Sequence, residues 1–108
     1  MTVRSFGEQF ELTTVCMPMP EKNVSGAYIG DLLSWVMGRA EAENVWITIM
    51  SNANIIAVAT LADVSVIVLA EGVTLDPETV ALAENKGVNI LSSKLPAYEI
   101  AGQIYGNI

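Results

Sequence analysis

Histidine is absent from this sequence, and cysteine occurs only once, at Cys16. Without histidine, the chain lacks the commonest general base of enzymes and the commonest side-chain ligand of transition metals. A lone cysteine forms no disulfide within its chain, and the alternating apolar segment around Cys16 favours a buried thiol over a nucleophile. We therefore expect no metal site, no cofactor and no thiol-dependent reaction.

Basic residues are scarce as well. Lysine and arginine total 5 against 12 aspartates and glutamates, which gives a formal net charge of -7 at pH 7. This balance opposes the neutralisation of phosphates that dominates binding to nucleic acids. The acidic residues are scattered singly, as on a solvated surface, so we expect no nucleic-acid partner.

Long hydrophobic runs are also missing. The densest apolar stretch, residues 55–70, is interrupted by Thr60, Asp63 and Ser65, whereas a membrane-spanning helix needs about 20 predominantly apolar residues. The first nine residues do not contain the apolar segment of a secretory signal. The expectation is a cytoplasmic protein that does not enter a membrane.

What the chain does have is enough material for a core. Of its 108 residues, 52% are hydrophobic and 16% are charged, a composition that excludes disorder and suits one domain over residues 1–108. Hydrophobic periodicity and turn residues divide the chain into alternating elements. We predict helices over residues 3–10, 27–40, 54–61, 77–86 and 96–105, and strands over residues 11–17, 45–50, 65–69 and 88–91.

Several of these elements carry specific signals. Thr2 is a suitable cap for the first helix, and Asp76 followed by Pro77 is the clearest helix start in the chain. For helix 27–40 the predicted cap is Ser25, and Asp31 would lie in the first turn, where the helix dipole favours an acid. Its predicted core stripe comprises Ile29, Leu32, Leu33, Val36 and Ala40. Trp35 and Met37 lie off that stripe, which suggests a second apolar contact such as another subunit.

The last helix is expected to bury Ala97, Ala101, Ile104 and Tyr105, and Asn52 or Asn54 to cap the third helix. The nearly continuous apolar strands are typical of a parallel sheet covered on both faces. The order of elements predicts a three-layer α/β/α domain with a mostly parallel sheet of about four to five strands.

In such folds ligands bind at the carboxyl ends of the strands, near the helix starts. The loop after the first strand offers Lys22, Asn23, Ser25 and Gly26. From the other strand ends we select the following candidate ligand-binding residues: Ser51, Asn52, Asn54, Glu71, Gly72, Ser92, Ser93 and Tyr98. The shortlist of strand-end residues also includes Lys94, which directly follows Ser93. These residues suit hydrogen bonding to a polar small molecule, but each also fits a plain role in a helix cap or turn.

Motifs for catalysis are missing from the same loops. There is no Gly-x-Gly-x-x-Gly dinucleotide fingerprint and no glycine-rich loop ending in Gly-Lys-Ser or Gly-Lys-Thr. No serine has a histidine partner or lies in a nucleophile elbow. Asp31, Glu71 and Glu99 are the nearest to paired carboxylates, but nothing in the sequence brings two of them together. We therefore predict that the protein is not an enzyme and has no catalytic residues.

Three segments together resemble the DRTGG domain family, which is also described as similar to the N-terminal domain of HPr kinase. They are residues 25–34 (SGAYIGDLLS), the strand–helix–strand block over residues 45–72, and residues 76–105 with the runs GVNIL and LPAY. The resemblance implies an HPr kinase N-terminal domain-like fold and a regulatory role. In pyrophosphatases that also contain CBS domains, a family member lies beside an adenine-nucleotide-sensing region and helps to form a dimer.

The signature that names this family is altered here. Ser51-Asn52-Ala53-Asn54 stands where family members have Asp-Arg, and Ala70-Glu71-Gly72 stands where they have Thr-Gly-Gly. The lost arginine and the added Glu71 carboxylate both disfavour an anionic ligand. The first hypothesis is therefore a non-catalytic regulatory or protein-interaction module that forms a homodimer and contacts a partner enzyme or signalling protein. The alternative is a sensor of an adenine-nucleotide-like small ligand at the strand ends.

Overall fold

The computed structural model describes residues 1–108 as a five-stranded sheet covered by helices on both faces. The helices are α1 (Val3–Gln9), α2 (Leu33–Arg39), α3 (Asn54–Ala62), α4 (Pro77–Lys86) and α5 (Ala97–Ile104). The strands are β1 (Thr13–Cys16), β2 (Ala27–Ile29), β3 (Val45–Thr48), β4 (Val66–Leu69) and β5 (Ile90–Ser92). Their order across the sheet is β1-β5-β4-β3-β2, in which β2 to β5 are parallel and β1 is antiparallel to β5. The predicted three-layer, mostly parallel α/β fold is confirmed.

Two hydrophobic cores lie on opposite faces of the sheet. Helices α2, α3 and α4 cover one face around Trp46 and Ile67, and helices α1 and α5 cover the other around Phe6 and Ile47. Every residue of β3 and β4 is buried, which explains why these strands are continuous apolar runs instead of alternating ones. No helix combines the length and the apolar character needed to cross a bilayer.

The helix ends with clear local signals form as predicted. The Asp76 carboxylate accepts a hydrogen bond from the Thr79 amide at 2.8 Å, and this bond lowers the pKa of Asp76 below its usual range. Pro77 is the first residue of α4, and Gly87 ends the helix in the left-handed region at φ +73°. Thr2 caps α1 by accepting from the Ser5 amide at 3.1 Å. These local contacts need little help from the rest of the fold.

The prediction of one helix over residues 27–40 is wrong. Its first part is the edge strand β2, which pairs with β3, and the helix begins only at Leu33. Ser25 is therefore not a helix cap, and the cap position falls on Leu32, whose side chain makes no capping bond. Asp31 precedes the helix instead of lying in its first turn. Pairing with β3 stabilises Ala27–Ile29 as a strand more than a first helical turn would.

Two smaller predictions about helices also need correction. The buried residues of α5 are Ile100 and Ile104, while Tyr105 is 89% exposed and lies outside the core. In α3 the cap position is Ala53, without a side-chain capping bond. The Asn52 side chain instead accepts from the Asn54 amide at 2.9 Å, so it shapes the turn that leads into the helix.

Cys16 is a buried thiol whose Sγ donates to the Val88 carbonyl oxygen at 3.5 Å. Burial raises the pKa of Cys16, and the nearby Glu84 carboxylate adds to the rise. We expect Cys16 to react with a chromogenic disulfide reagent at least about 100-fold more slowly in the native protein than in denaturant. Equal reaction rates in the native and the denatured protein would contradict the burial of Cys16.

The raised pKa of Cys16 also makes the stability of the fold depend on pH. The thiol's contribution to the free energy of unfolding is present below its unfolded pKa and is lost as pH rises through the folded pKa.

Candidate functional site

The carboxyl ends of the four parallel strands meet at one edge of the sheet, which we call the strand-end edge. The loops that follow β2, β3, β4 and β5 all lie there. Because β1 is antiparallel to β5, the end of α1 and the start of β1 reach the same edge. The strand-end edge is where unpaired backbone groups and helix starts are available to a ligand.

One group of predicted residues lies elsewhere. Lys22, Asn23, Ser25 and Gly26 lie between the carboxyl end of β1 and the start of β2, at the opposite edge, because β1 runs against the other strands. Lys22 forms an ion pair there, with its Nζ 3.4 Å from an Asp63 carboxylate oxygen. These four residues do not join the other candidates.

Asp31 is the acid that connects the ends of β2 and β3. Its Oδ1 accepts from the Thr48 hydroxyl at 2.8 Å and from the Ile49 amide at 3.0 Å. The Thr48 hydroxyl in turn accepts from the Met50 amide at 3.1 Å. Asp31 therefore has a structural function in the loops, and only its second oxygen lacks a partner within the chain.

Ser51, Asn52 and Asn54 lie together in the loop between β3 and α3, and all three are exposed. The turn uses Asn52 twice, since its side chain accepts from the Asn54 amide at 2.9 Å and its carbonyl from the Ile55 amide at 3.2 Å. The Ile56 amide bonds to the Ala53 carbonyl at 3.1 Å. The first amides of α3 are thus engaged within the turn, so this helix start does not present free donors to an anion.

Glu71, Gly72 and Ser93 are brought together by backbone hydrogen bonds between the loops after β4 and β5. The Glu71 amide donates to the Leu95 carbonyl and the Gly72 amide to the Ser93 carbonyl, each at 2.9 Å. Glu71 and Gly72 both have positive φ, +58° and +71°, which lets the chain reverse sharply over the end of β4. The Ser93 hydroxyl accepts from the Leu95 amide at 3.0 Å. These bonds hold the two loops as one unit.

The last two candidates lie apart from that unit. Ser92 is the final residue of β5, half-buried and paired with Thr13 and Leu69. Tyr98 lies in the first turn of α5 and is 87% exposed. The Tyr98 side chain is accessible to a partner but does not belong to an enclosed site.

Two surface grooves each include one of the candidate residues, Ser93 in the first and Asn54 in the second. The first groove has a volume of about 610 Å³ and lies at the strand-end edge. Because most of its lining residues are polar, we call it the polar groove. It is lined by Gln9, Phe10, Glu11, Ser93, Lys94, Leu95 and Gln103. A second groove of about 520 Å³ runs between α3 and α4 and takes in Asn54 and Lys86. Glu71, Gly72, Ser51 and Asn52 line neither groove.

The sequence-based shortlist of strand-end residues includes Lys94 but not Gln9 or Gln103. Gln9 and Gln103 come from opposite ends of the chain, and no local signal connects them. Lys94 was predictable because it directly follows Ser92 and Ser93 at the end of β5. It forms no ion pair in the structure, since the only two salt bridges are Arg4–Glu21 and Lys22–Asp63.

The chemistry available at the strand-end edge is hydrogen bonding. No cluster of three or more cysteine, aspartate or glutamate side chains is arranged to hold a metal ion. The polar groups that we have traced donate to and accept from one another, and Lys94 supplies one free positive charge. The protein is thus a three-layer α/β module with a polar, partly charged surface at the carboxyl ends of its parallel strands.

The family assignment is more specific. The sequence profile of the DRTGG domain matches residues 21–106, and the chain belongs to the DRTGG domain family. Comparison with curated proteins gives no match.

Among solved structures, this chain is similar to the CBS and DRTGG domains of the regulatory region of Clostridium perfringens pyrophosphatase, in complex with its activator, diadenosine tetraphosphate. The TM-score is 0.73 at 13% sequence identity, and the match covers 95% of this chain and 45% of the pyrophosphatase chain. At this identity the likeness establishes a shared fold. The chain spans less than half of that relative.

Proposed function

We propose that this chain is a non-catalytic regulatory module that forms a homodimer and acts on a partner enzyme or signalling protein. The observation that carries the proposal is the match of residues 21–106 to the DRTGG domain family. A DRTGG domain belongs to the regulatory region of the similar pyrophosphatase. Asp31, Asn52 and Ser93 give further support, because their side chains hold loops in place and are not grouped around a reacting position.

Exposed apolar side chains support self-association. Leu32 is 59% exposed and Trp35 53% exposed, on or next to α2, and clustered apolar surface on a small protein is typical of an interaction site. Sedimentation velocity at tens of micromolar is expected to give twice the chain mass. A strict monomer under those conditions would remove the homodimer from the proposal.

A sensor of adenine-nucleotide-like ligands is the second candidate function. It is favoured by the complex of the similar pyrophosphatase region with diadenosine tetraphosphate, and by the polar groove with its unpaired Lys94. Glu11 lines the same groove, and the net charge of -7 opposes an anion. A nucleotide would therefore depend on Lys94 for charge and on Ser93, Gln9 and Gln103 for hydrogen bonds.

Titration calorimetry and thermal unfolding with adenosine mono-, di- and triphosphate and diadenosine tetraphosphate test this sensor function. A ligand at 100 times its Kd adds about 2.7 kcal/mol to the free energy of unfolding. Lys94→Gln is expected to weaken binding about tenfold, because it removes a charge-assisted hydrogen bond. Lys86→Gln, which makes the same change in the other groove, is the control and is expected to have no effect. No response to the four nucleotides rejects the sensor function for these compounds.

A further inference from the structure

The outer edge of β2 has no neighbouring strand. The Gly26 carbonyl and the Gly30 amide both bond to β3. Because peptide groups alternate along a strand, Tyr28 also directs its amide and carbonyl to β3, whereas Ala27 and Ile29 direct theirs away from the sheet. Four backbone groups are therefore available along this edge.

The other edge of the sheet is protected, whereas the β2 edge is not. Strand β1 has a register shift between Thr14 and Cys16, and Pro18 and Pro20 follow it closely. Such irregularities and prolines prevent an edge strand from pairing with another chain. From Ser25 to Gly30, along β2, there is no proline, no bulge and no charged side chain.

Apolar side chains flank the β2 edge on both faces. The right-handed connection from β2 to β3 places α2 over these two strands, with α3 beside it on the side away from the β2 edge. Leu32 and Trp35 lie on the other side of α2, which is next to the β2 edge. On the opposite face an apolar groove of about 320 Å³ is lined by Ile29, which is 47% exposed, and by residues of α5 and the chain end after it, including Tyr105. The backbone edge thus lies between two uncovered apolar surfaces.

We propose that the β2 edge is the surface through which two copies of this chain join, by antiparallel pairing of β2 with β2 about Tyr28. The proposal rests on the self-association proposed above and assigns its location. In this register Ala27 of one protomer faces Ile29 of its partner, and each such pair exchanges two hydrogen bonds. The two sheets become one continuous sheet of ten strands, with four backbone hydrogen bonds at the junction.

The local charges beside the β2 edge fit a second copy of the chain. The net charge of -7 makes two chains repel one another overall, but the stretch Ser25–Ser34 carries a single charge, on Asp31, and adds little to that repulsion. Antiparallel pairing also sets the start of α2, next to Asp31, against the end of α2 on the partner. That end carries Arg39, which stacks on Trp35 at 3.8 Å. Opposite charges therefore meet at both ends of the helix pair.

The test compares Ile29→Lys with Leu61→Lys in the full chain. Leu61 is 71% exposed on α3, so the control makes a similar change away from β2. Ile29→Lys is expected to raise the dimer dissociation constant by about 30-fold or more, because two lysines enter the paired edge. Leu61→Lys is expected to leave the constant within about twofold. Leu32→Lys, on a second exposed side chain of the same surface, is expected to act like Ile29→Lys if the strand variant fails to fold.

Amide hydrogen exchange measured by NMR gives a residue-level readout. In the wild-type dimer the Ala27 and Ile29 amides should be protected, and in Leu32→Lys they should exchange freely while the Tyr28 amide stays protected. A wild-type dimer in which Ala27 and Ile29 exchange freely, or which Ile29→Lys and Leu32→Lys leave intact, overturns the assignment while the homodimer stands. A wild-type monomer overturns the homodimer itself. Protection that appears only with an added peptide would assign the edge to a different partner and would also overturn the proposal.

Discussion

Replacing Trp46 with alanine is expected to destabilise the protein by about 3–5 kcal/mol, because the largest fully buried side chain of the core is lost. Trp46 is fully buried in β3, between the sheet and the helices of one face. Its indole Nε1 donates to the Gly30 carbonyl at 2.9 Å, which holds the loop after β2 against β3. Small domains have about 5–15 kcal/mol of stability, so much of the Trp46→Ala protein should be unfolded at moderate denaturant.

Urea unfolding followed by circular dichroism measures this loss. Trp46→Phe is the matched variant, because it keeps most of the apolar volume and removes the hydrogen bond to Gly30. It is expected to cost about 1–3 kcal/mol, less than the alanine variant. Equal costs for the two variants would show that the hydrogen bond, and not the packing, dominates. An alanine variant as stable as the wild type would contradict the burial of Trp46 in β3.

Replacing Asn89 with alanine is expected to cost about 2–4 kcal/mol, because buried backbone groups lose their partners. The Asn89 side-chain Nδ2 donates to the Met19 carbonyl at 2.7 Å and to the Ser65 carbonyl at 3.0 Å. Its side-chain oxygen accepts from the Met19 amide at 2.9 Å. Asn89 is almost fully buried, and these bonds attach the segment after β1 to the sheet.

Two further variants separate the hydrogen bonds from a general effect of substitution. Asn89→Asp keeps the shape but turns a donor toward two carbonyl oxygens into a carboxylate, so at neutral pH it should cost at least as much as alanine. Asn85→Ala changes an exposed asparagine on α4 and should alter the free energy of unfolding by less than about 0.5 kcal/mol. Thermal unfolding of the three variants measures these differences. A stable Asn89→Asp protein would mean that the Met19 and Ser65 contacts contribute little.

Elements with strong local patterns were predictable from the sequence. Strands β3 and β4 are short, β-branched apolar runs, and their complete burial is the state that such runs indicate. Helix α4 begins at Asp76 and Pro77 and ends at Gly87, where side chain and backbone geometry act within a few residues. Strand β2 was not predictable in this way. Ile29 in this strand continues the helical spacing of the apolar residues in α2, so periodicity assigns the segment to the helix. Pairing with β3 makes it a strand instead.

The candidate site was predictable in outline. A mostly parallel sheet places the loops after its strands at one edge, and the loops with Ser51, Glu71 and Ser93 do lie there. The loop with Lys22 lies at the opposite edge, because β1 is antiparallel to β5. That direction depends on which strand β1 pairs with in the folded sheet. Gln9 and Gln103 could not be selected either, since they line one groove only after α1 and α5 pack on the same face of the sheet.

The three-layer α/β fold was predictable without knowledge of any tertiary contact, and histidine-dependent chemistry and disulfide bonding within the chain could be excluded in the same way. Those properties follow from residue types and from periodicity along the chain. Tertiary contacts set the direction of β1, the existence of β2 and its unprotected edge, and the position of Lys94 in the polar groove without an ion-pair partner. Each of these depends on contacts between residues far apart in the chain. The free energies of such contacts cannot be predicted from a local sequence pattern.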